Sequence, residues 1–99
     1  NMLIKKKRSS KEARAFKVHK MFVVHRNFER YGEYTCEKCK KAPLYQNQSG
    51  ETEHRHDLVT VDHIYPRVLG GADHYLNLQV MCGECNNEKG SRIDVSEND

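Results

Sequence analysis

Two Cys-x-x-Cys units, Cys36-Glu37-Lys38-Cys39 and Cys82-Gly83-Glu84-Cys85, constrain this chain more than any other feature. Two residues between cysteines let a tight turn aim both sulfurs at one point, and two such knuckles complete a tetrahedron around zinc. Four thiolates leave no coordination position open, so the ion is expected to be structural and its binding energy to become folding energy. Two disulfides or a tetrathiolate iron site are the alternatives, and the paired spacing favours zinc. A chain of 99 residues that is 36% hydrophobic cannot build a large core, and small domains of this kind need such a staple.

Compartment and partner follow from the first thirty residues. The chain opens with Asn1, Met2, Leu3, Ile4 and then Lys5, Lys6, Lys7, Arg8, without an apolar leader. Its apolar runs are too short to span a membrane. A reducing cytoplasm, bacterial or that of a phage host, is therefore expected, and there cysteine pairs bind metal more often than each other. Residues 1–30 hold ten Lys or Arg against Glu12 and Glu29, a balance of +8, while the remainder holds seven against twelve, a balance of −5. Such an arm suits a phosphate backbone, with affinity that falls as salt rises, although a solvated basic helix has the same composition.

Ser9 followed by Glu12 matches a capping box, so a helix is predicted from about residue 10, with Ala13, Phe16, Val23, Val24, Phe28 and Tyr31 as its apolar stripe and Gly32 at its C-terminus. Residues 46–57 are polar and aperiodic and read as a loop. A strand is expected from Leu58 to Asp62 and a second from Asn77 to Cys82, with Gly70 and Gly71 marking a turn between them. A short helix is expected to open at Asn86 and stop near Gly90.

The first strand ends in "VDHIYP", with Asp62 and His63 side by side ahead of Pro66. Alone, a histidine there is a turn residue bonded to backbone. Its setting is more specific: "CEKC" and then "VDHIYPRVLGGADHYLNLQVMCGECNNEKG" combine, in order, Cys-x-x-Cys, Asp-His-x-x-Pro, Gly-Gly, Asn-Leu, Cys-x-x-Cys-Asn and a following Lys. This stretch, Cys36 to Gly90, resembles the HNH endonuclease family. The resemblance implies an α+β fold, a small zinc-stapled ββα-metal (His-Me finger) nuclease domain, here with an N-terminal basic helix. The expected division is a basic arm and helix over 1–31, the nuclease domain over 32–92 and a flexible acidic tail over 93–99.

By motif position His63 is the first letter of the family name and Asn77 the second. The third falls on Asn86, an asparagine variant of the final histidine. An amide oxygen there suits a hard ion, so Mg²⁺ or Mn²⁺ is the expected catalytic cofactor beside the structural Zn²⁺. Hydrolysis of a phosphodiester needs a water to lose its proton, which suits His63, and needs charge at the departing oxygen to be balanced, which suits a divalent ion held by Asp62 and Asn86. The resemblance implies 5′-phosphate and 3′-hydroxyl ends, and gives Asn77 the task of bracing the loop behind His63. Arg67 and Lys89 are expected at phosphates, together with Lys5, Lys6, Lys7 and Arg8.

Of the other histidines, His19 and His25 are expected to be exposed or half-packed. His54 and His56 form a His-x-His pair without an obvious third ligand, and His74 is a secondary candidate for ion or phosphate. With phosphate contacts and no base-reading array, double-stranded DNA is expected to be nicked with weak sequence preference. Monomer and weak dimer both remain open. A zinc-stapled nucleic-acid-binding module without catalysis is the rival reading; it explains the cysteines and the arm but not the joint presence of Asp62, His63 and Asn86.

Overall fold

The computed structural model describes residues 7–48 and 55–90, so Lys5, Lys6, His54 and the acidic tail lie outside the described residues. Helix α1 runs Ser10–Tyr31 and starts as the capping box requires: the Ser9 hydroxyl accepts from the Glu12 amide, and the Glu12 carboxylate accepts from the Ser9 amide. It ends at Gly32, whose φ of 79° is left-handed and whose N–H returns to the Phe28 carbonyl. Strand β1 (Val59–His63) pairs antiparallel with β2 (Leu78–Cys82), and helix α2 (Gly83–Lys89) follows directly. Two 3-10 turns, Arg67–Leu69 and Tyr75–Asn77, lie in the connection between the strands.

The core gathers on β2, all five residues of which are buried. Leu78, Val80, Met81 and Cys82 meet Val23 of α1, together with Cys36 and Leu44. The buried side of α1 is narrower than its apolar stripe: Val23 and Asn27 are buried and Phe16 and Val24 pack partly, whereas Phe28 and Tyr31 are exposed. Phe28 meets the Tyr34 ring instead, at 5.1 Å. Arg26 fastens α1 to β2 by donating from Nη2 to the Leu78 carbonyl at 3.0 Å. Asn27, buried among apolar groups, is fully used. Its amide bonds both the N–H and the C=O of Thr35 at 2.8 Å and reaches Glu37 at 2.9 Å, so α1 fixes the entry to the first cysteine knuckle.

Three boundaries differ from the sequence expectation. Strand β1 starts and ends one residue later, because His63 pairs with Leu78 and the Ile64 N–H continues the ladder to the Asn77 carbonyl. Asn77 closes a 3-10 turn, so β2 begins only at Leu78. Helix α2 begins at Gly83, not at Asn86, because the Cys82 sulfur caps it by accepting from the Cys85 amide. The second knuckle is thus the first turn of the helix. Gly83 is needed there for space, since a Cβ would lie 2.3 Å from the Arg55 carbonyl oxygen.

Candidate active site and metal centre

The four cysteine sulfurs converge within 4.8 Å of one another, the one His, Cys, Asp or Glu group of three or more with metal-holding geometry among the described residues. A tetrahedron with Zn–S bonds of ~2.3 Å has S···S edges of ~3.8 Å, and Cys39 Sγ to Cys82 Sγ is 3.9 Å. Both knuckles have the same construction, with the Cys39 amide donating to Cys36 Sγ and the Cys85 amide to Cys82 Sγ, each at 3.4 Å. They are held together by the Glu37 N–H, which donates to the Val80 carbonyl two residues before Cys82. Burial pushes Cys36 up, but backbone donors outweigh it and bring the thiol down to about 7. Burial and the neighbouring sulfurs raise Cys85. A site that crowds sulfurs in this way, and supplies N–H donors to them, suits a thiophilic cation.

The second cluster is set by strand and helix periodicity. Thr60 and Asp62 lie on one face of β1, because side chains alternate along a strand, and Asn86 and Lys89 lie on one face of α2, because residues three apart neighbour each other. These two faces meet: Asn86 Nδ2 donates to Thr60 Oγ1 at 2.9 Å, and Lys89 Nζ stands 3.0 Å from Asp62 Oδ2. Lys89 also donates to the His63 carbonyl at 2.9 Å. It is buried, so its ammonium is occupied inside the domain and not offered to a phosphate, because the face of α2 that it shares with Asn86 is the one packed on β1. Gln79 Nε2, opposite Asp62 in the sheet, reaches the same Oδ2 at 3.4 Å.

His63 projects into a cleft of about 120 Å³ lined by Asp62, Pro66, Arg67, Lys89 and Gly90. Its ring packs 5.4 Å from Phe16 of α1, and its Nε2 lies 2.7 Å from Asp73 Oδ1. Arg67 Nε is 3.6 Å from the same Asp73 oxygen, and Arg8 pairs with Asp73 through both Nε and Nη2. Of the basic arm, Arg8 is therefore bound within the site and not presented outward. Asn77 spans the loop behind His63: its amide donates to the Tyr65 carbonyl at 3.1 Å and the Ala72 carbonyl at 2.9 Å and accepts from the Tyr65 N–H at 2.9 Å. Gly71 closes the same loop so tightly that a Cβ would lie 1.8 Å from the Tyr65 carbonyl oxygen.

The site divides in a way that short-range pattern does not signal. Asn86 faces an adjoining cleft of about 240 Å³ with Arg55, His56, Thr60 and Asn87. Asp62 and Asn86 are thus neighbours along one interface, one strand repeat apart, with no direct bond between them. His74 caps a 3-10 turn, its Nδ1 accepting from the Leu76 amide, and His19 accepts from the Tyr75 amide. His25 is an exposed partner of Glu29. Sequence reasoning missed Asp73, which lies between the Gly-Gly turn and His74. A carboxylate ten residues from His63 carries no periodic signal, and only the folded loop brings the two together.

The HNH endonuclease family model matches residues 34–97, more than half of the chain. The chain belongs to the HNH endonuclease family. The matched HNH segment holds both cysteine knuckles, β1, β2 and α2, and the observed strand, strand and helix are consistent with the ββα-metal fold. Family membership points to nuclease activity and a nucleic-acid substrate at the coarse level. Arg8 and helix α1, with Phe16, precede the HNH match. No curated protein and no solved structure shows a significant match to the chain. No described helix is long and apolar enough to cross a membrane.

Proposed function

We propose that this HNH protein is a metal-dependent endonuclease that hydrolyses phosphodiester bonds of double-stranded DNA with weak sequence preference, nicking one strand per visit. The observation that carries the reading is His63, set at the end of β1 in a cleft it shares with Asp62 and Arg67. An imidazole titrates near neutrality and can take the proton of an attacking water. Arg67 offers a guanidinium at the same cleft for the scissile phosphate.

Asp62 and Asn86 are the residues that would hold a divalent ion. Both bonds to the Asp62 carboxylate fall on Oδ2, and Asn86 donates through Nδ2, so each side chain has its Oδ1 oxygen outside these bonds. A donor pair of oxygens fits Mg²⁺ or Mn²⁺ better than a soft ion. The chemistry such an ion supplies is charge stabilisation at the phosphate and the leaving oxygen. Asp62, adjacent to His63 on the strand, would bind the ion without consuming the imidazole. Asn77, by fixing residues 65 and 72, keeps the base's backbone in one place. The four cysteines, filled by zinc, serve folding alone.

The test uses an end-labelled duplex with Mn²⁺ or Mg²⁺. Cleavage products that DNA ligase rejoins, stopped by EDTA, are expected, because departure of the 3′ oxygen leaves 5′-phosphate and 3′-hydroxyl ends. Salt-sensitive DNA binding without products in either ion would make the protein a binding module instead.

A further inference from the structure

The 2.7 Å contact between His63 Nε2 and Asp73 Oδ1 sets one ring nitrogen of the imidazole against a carboxylate. The carboxyl of Asp73 is held down at about 2, first by the hydrogen bond from Arg8, against some burial, and then by His63 itself. An ionised carboxylate has no proton to give, so the hydrogen in the 2.7 Å contact belongs to Nε2. A neutral imidazole protonated there keeps its lone pair on Nδ1.

We propose that Asp73 is the positioning residue of the catalytic histidine, fixing His63 as the Nε2–H tautomer with Nδ1 as the proton-accepting atom, and that Arg8 holds Asp73 in place for this. The proposal rests on the nuclease reading of His63. Three features of the fold support it. Asp73 sits in a loop made rigid by Asn77, which bonds the carbonyl of Ala72 next to it, so the carboxylate has a fixed origin. Arg8 grips both Asp73 oxygens, a fork geometry that fixes the plane of the carboxylate as well as its position. The Arg8 guanidinium lies 4.0 Å over the Phe16 ring, and Phe16 packs on the His63 ring, so one stack from α1 backs both members of the pair.

A consequence is that residues preceding the family segment complete the site. Arg8 lies 65 positions from Asp73 in the chain and outside the matched residues 34–97. The domain's base is oriented by a carboxylate within the family segment, which is itself oriented by a cation outside it.

The experiment uses the full, zinc-loaded chain with ¹⁵N-labelled histidine. Long-range ¹H–¹⁵N spectra, at a pH where His63 is neutral, are expected to show wild-type His63 protonated on Nε2. Nicking kinetics with Mn²⁺ are expected to show Asp73→Asn reduced about 10- to 100-fold in kcat, the usual cost of losing an orienting partner, with KM within about twofold. A wild-type His63 protonated on Nδ1 overturns the proposal without recourse to any variant. So does an Asp73→Asn protein with kcat within about twofold of wild type, or one whose whole loss lies in KM. If wild type itself cuts nothing, the nuclease reading fails, and the tautomer spectrum alone decides the positioning role.

Discussion

Replacing Lys89 by Met separates an internal ion pair from a surface phosphate contact. Lys89 Nζ lies 3.0 Å from Asp62 Oδ2, and the two side chains are only 7% and 9% exposed. At that burial the small values typical of exposed pairs do not apply. Met keeps the length and apolar stem of Lys while removing the ammonium. The Asp62 carboxylate then stays buried without its cation, and the His63 carbonyl loses a donor. Breaking a buried pair from one side costs about 3–5 kcal/mol. In a domain of this size about 1 kcal/mol moves Tm by roughly 4–8 °C, so a fall of at least about 12 °C is expected for Lys89→Met. Because Mn²⁺ or Mg²⁺ at Asp62 would compensate the unpaired carboxylate, added ion should raise the variant's Tm more than that of wild type. Differential scanning fluorimetry at fixed zinc reads both effects. A Tm within about 3 °C of wild type, with a raised KM for DNA, would refute the internal pairing and return Lys89 to the phosphate surface.

Two further predictions concern the staple and the loop. Cys85→Ser should release zinc and unfold the domain, whereas Asp62→Ala should leave zinc content unchanged, as measured by atomic absorption beside circular dichroism; equal zinc loss in both would show that the two metal sites are wrongly divided. Gly71→Ala puts a Cβ onto the Tyr65 carbonyl, so the loop must move, at a cost of about 1–3 kcal/mol in urea denaturation and with slower cleavage at unchanged zinc content. A Gly71→Ala protein as stable and active as wild type would mean that the loop carrying Asp73 need not be held where it is.

What the chain discloses by itself is whatever depends on short-range pattern. Ser9 and Glu12, three apart, are enough to start α1, and Gly32 is enough to end it, because caps are local chemistry. The cysteine spacing is likewise local geometry, and the structure brings the four sulfurs within one coordination shell. The misplaced start of α2 has a physical reason: a glycine and two cysteines have weak helix preference, and it is the Cys82 sulfur, a cap not counted among the usual ones, that initiates the helix. Lys89 reads as a surface cation in the sequence and is buried in the fold because the face it shares with Asn86 packs against β1, a tertiary contact with no local signal. The outer face of α1 was equally illegible. Phe16 and Phe28 look equivalent in a helical stripe, yet one backs His63 and the other is left at the surface against Tyr34. Asp73 lay furthest out of reach, since its partners Arg8 and His63 lie 65 and 10 positions before it and are joined to it only by tertiary packing.

The central claim is that His63 activates water for phosphodiester hydrolysis, and supercoiled plasmid tests it most directly. Zinc-loaded wild-type protein with Mn²⁺ or Mg²⁺ should convert it to nicked circles and do nothing in EDTA. His63→Ala, with the same zinc content and the same circular dichroism, should bind the plasmid and leave it supercoiled. Nicking by His63→Ala at the wild-type rate, or wild-type protein that binds and never nicks with either ion, would contradict the account.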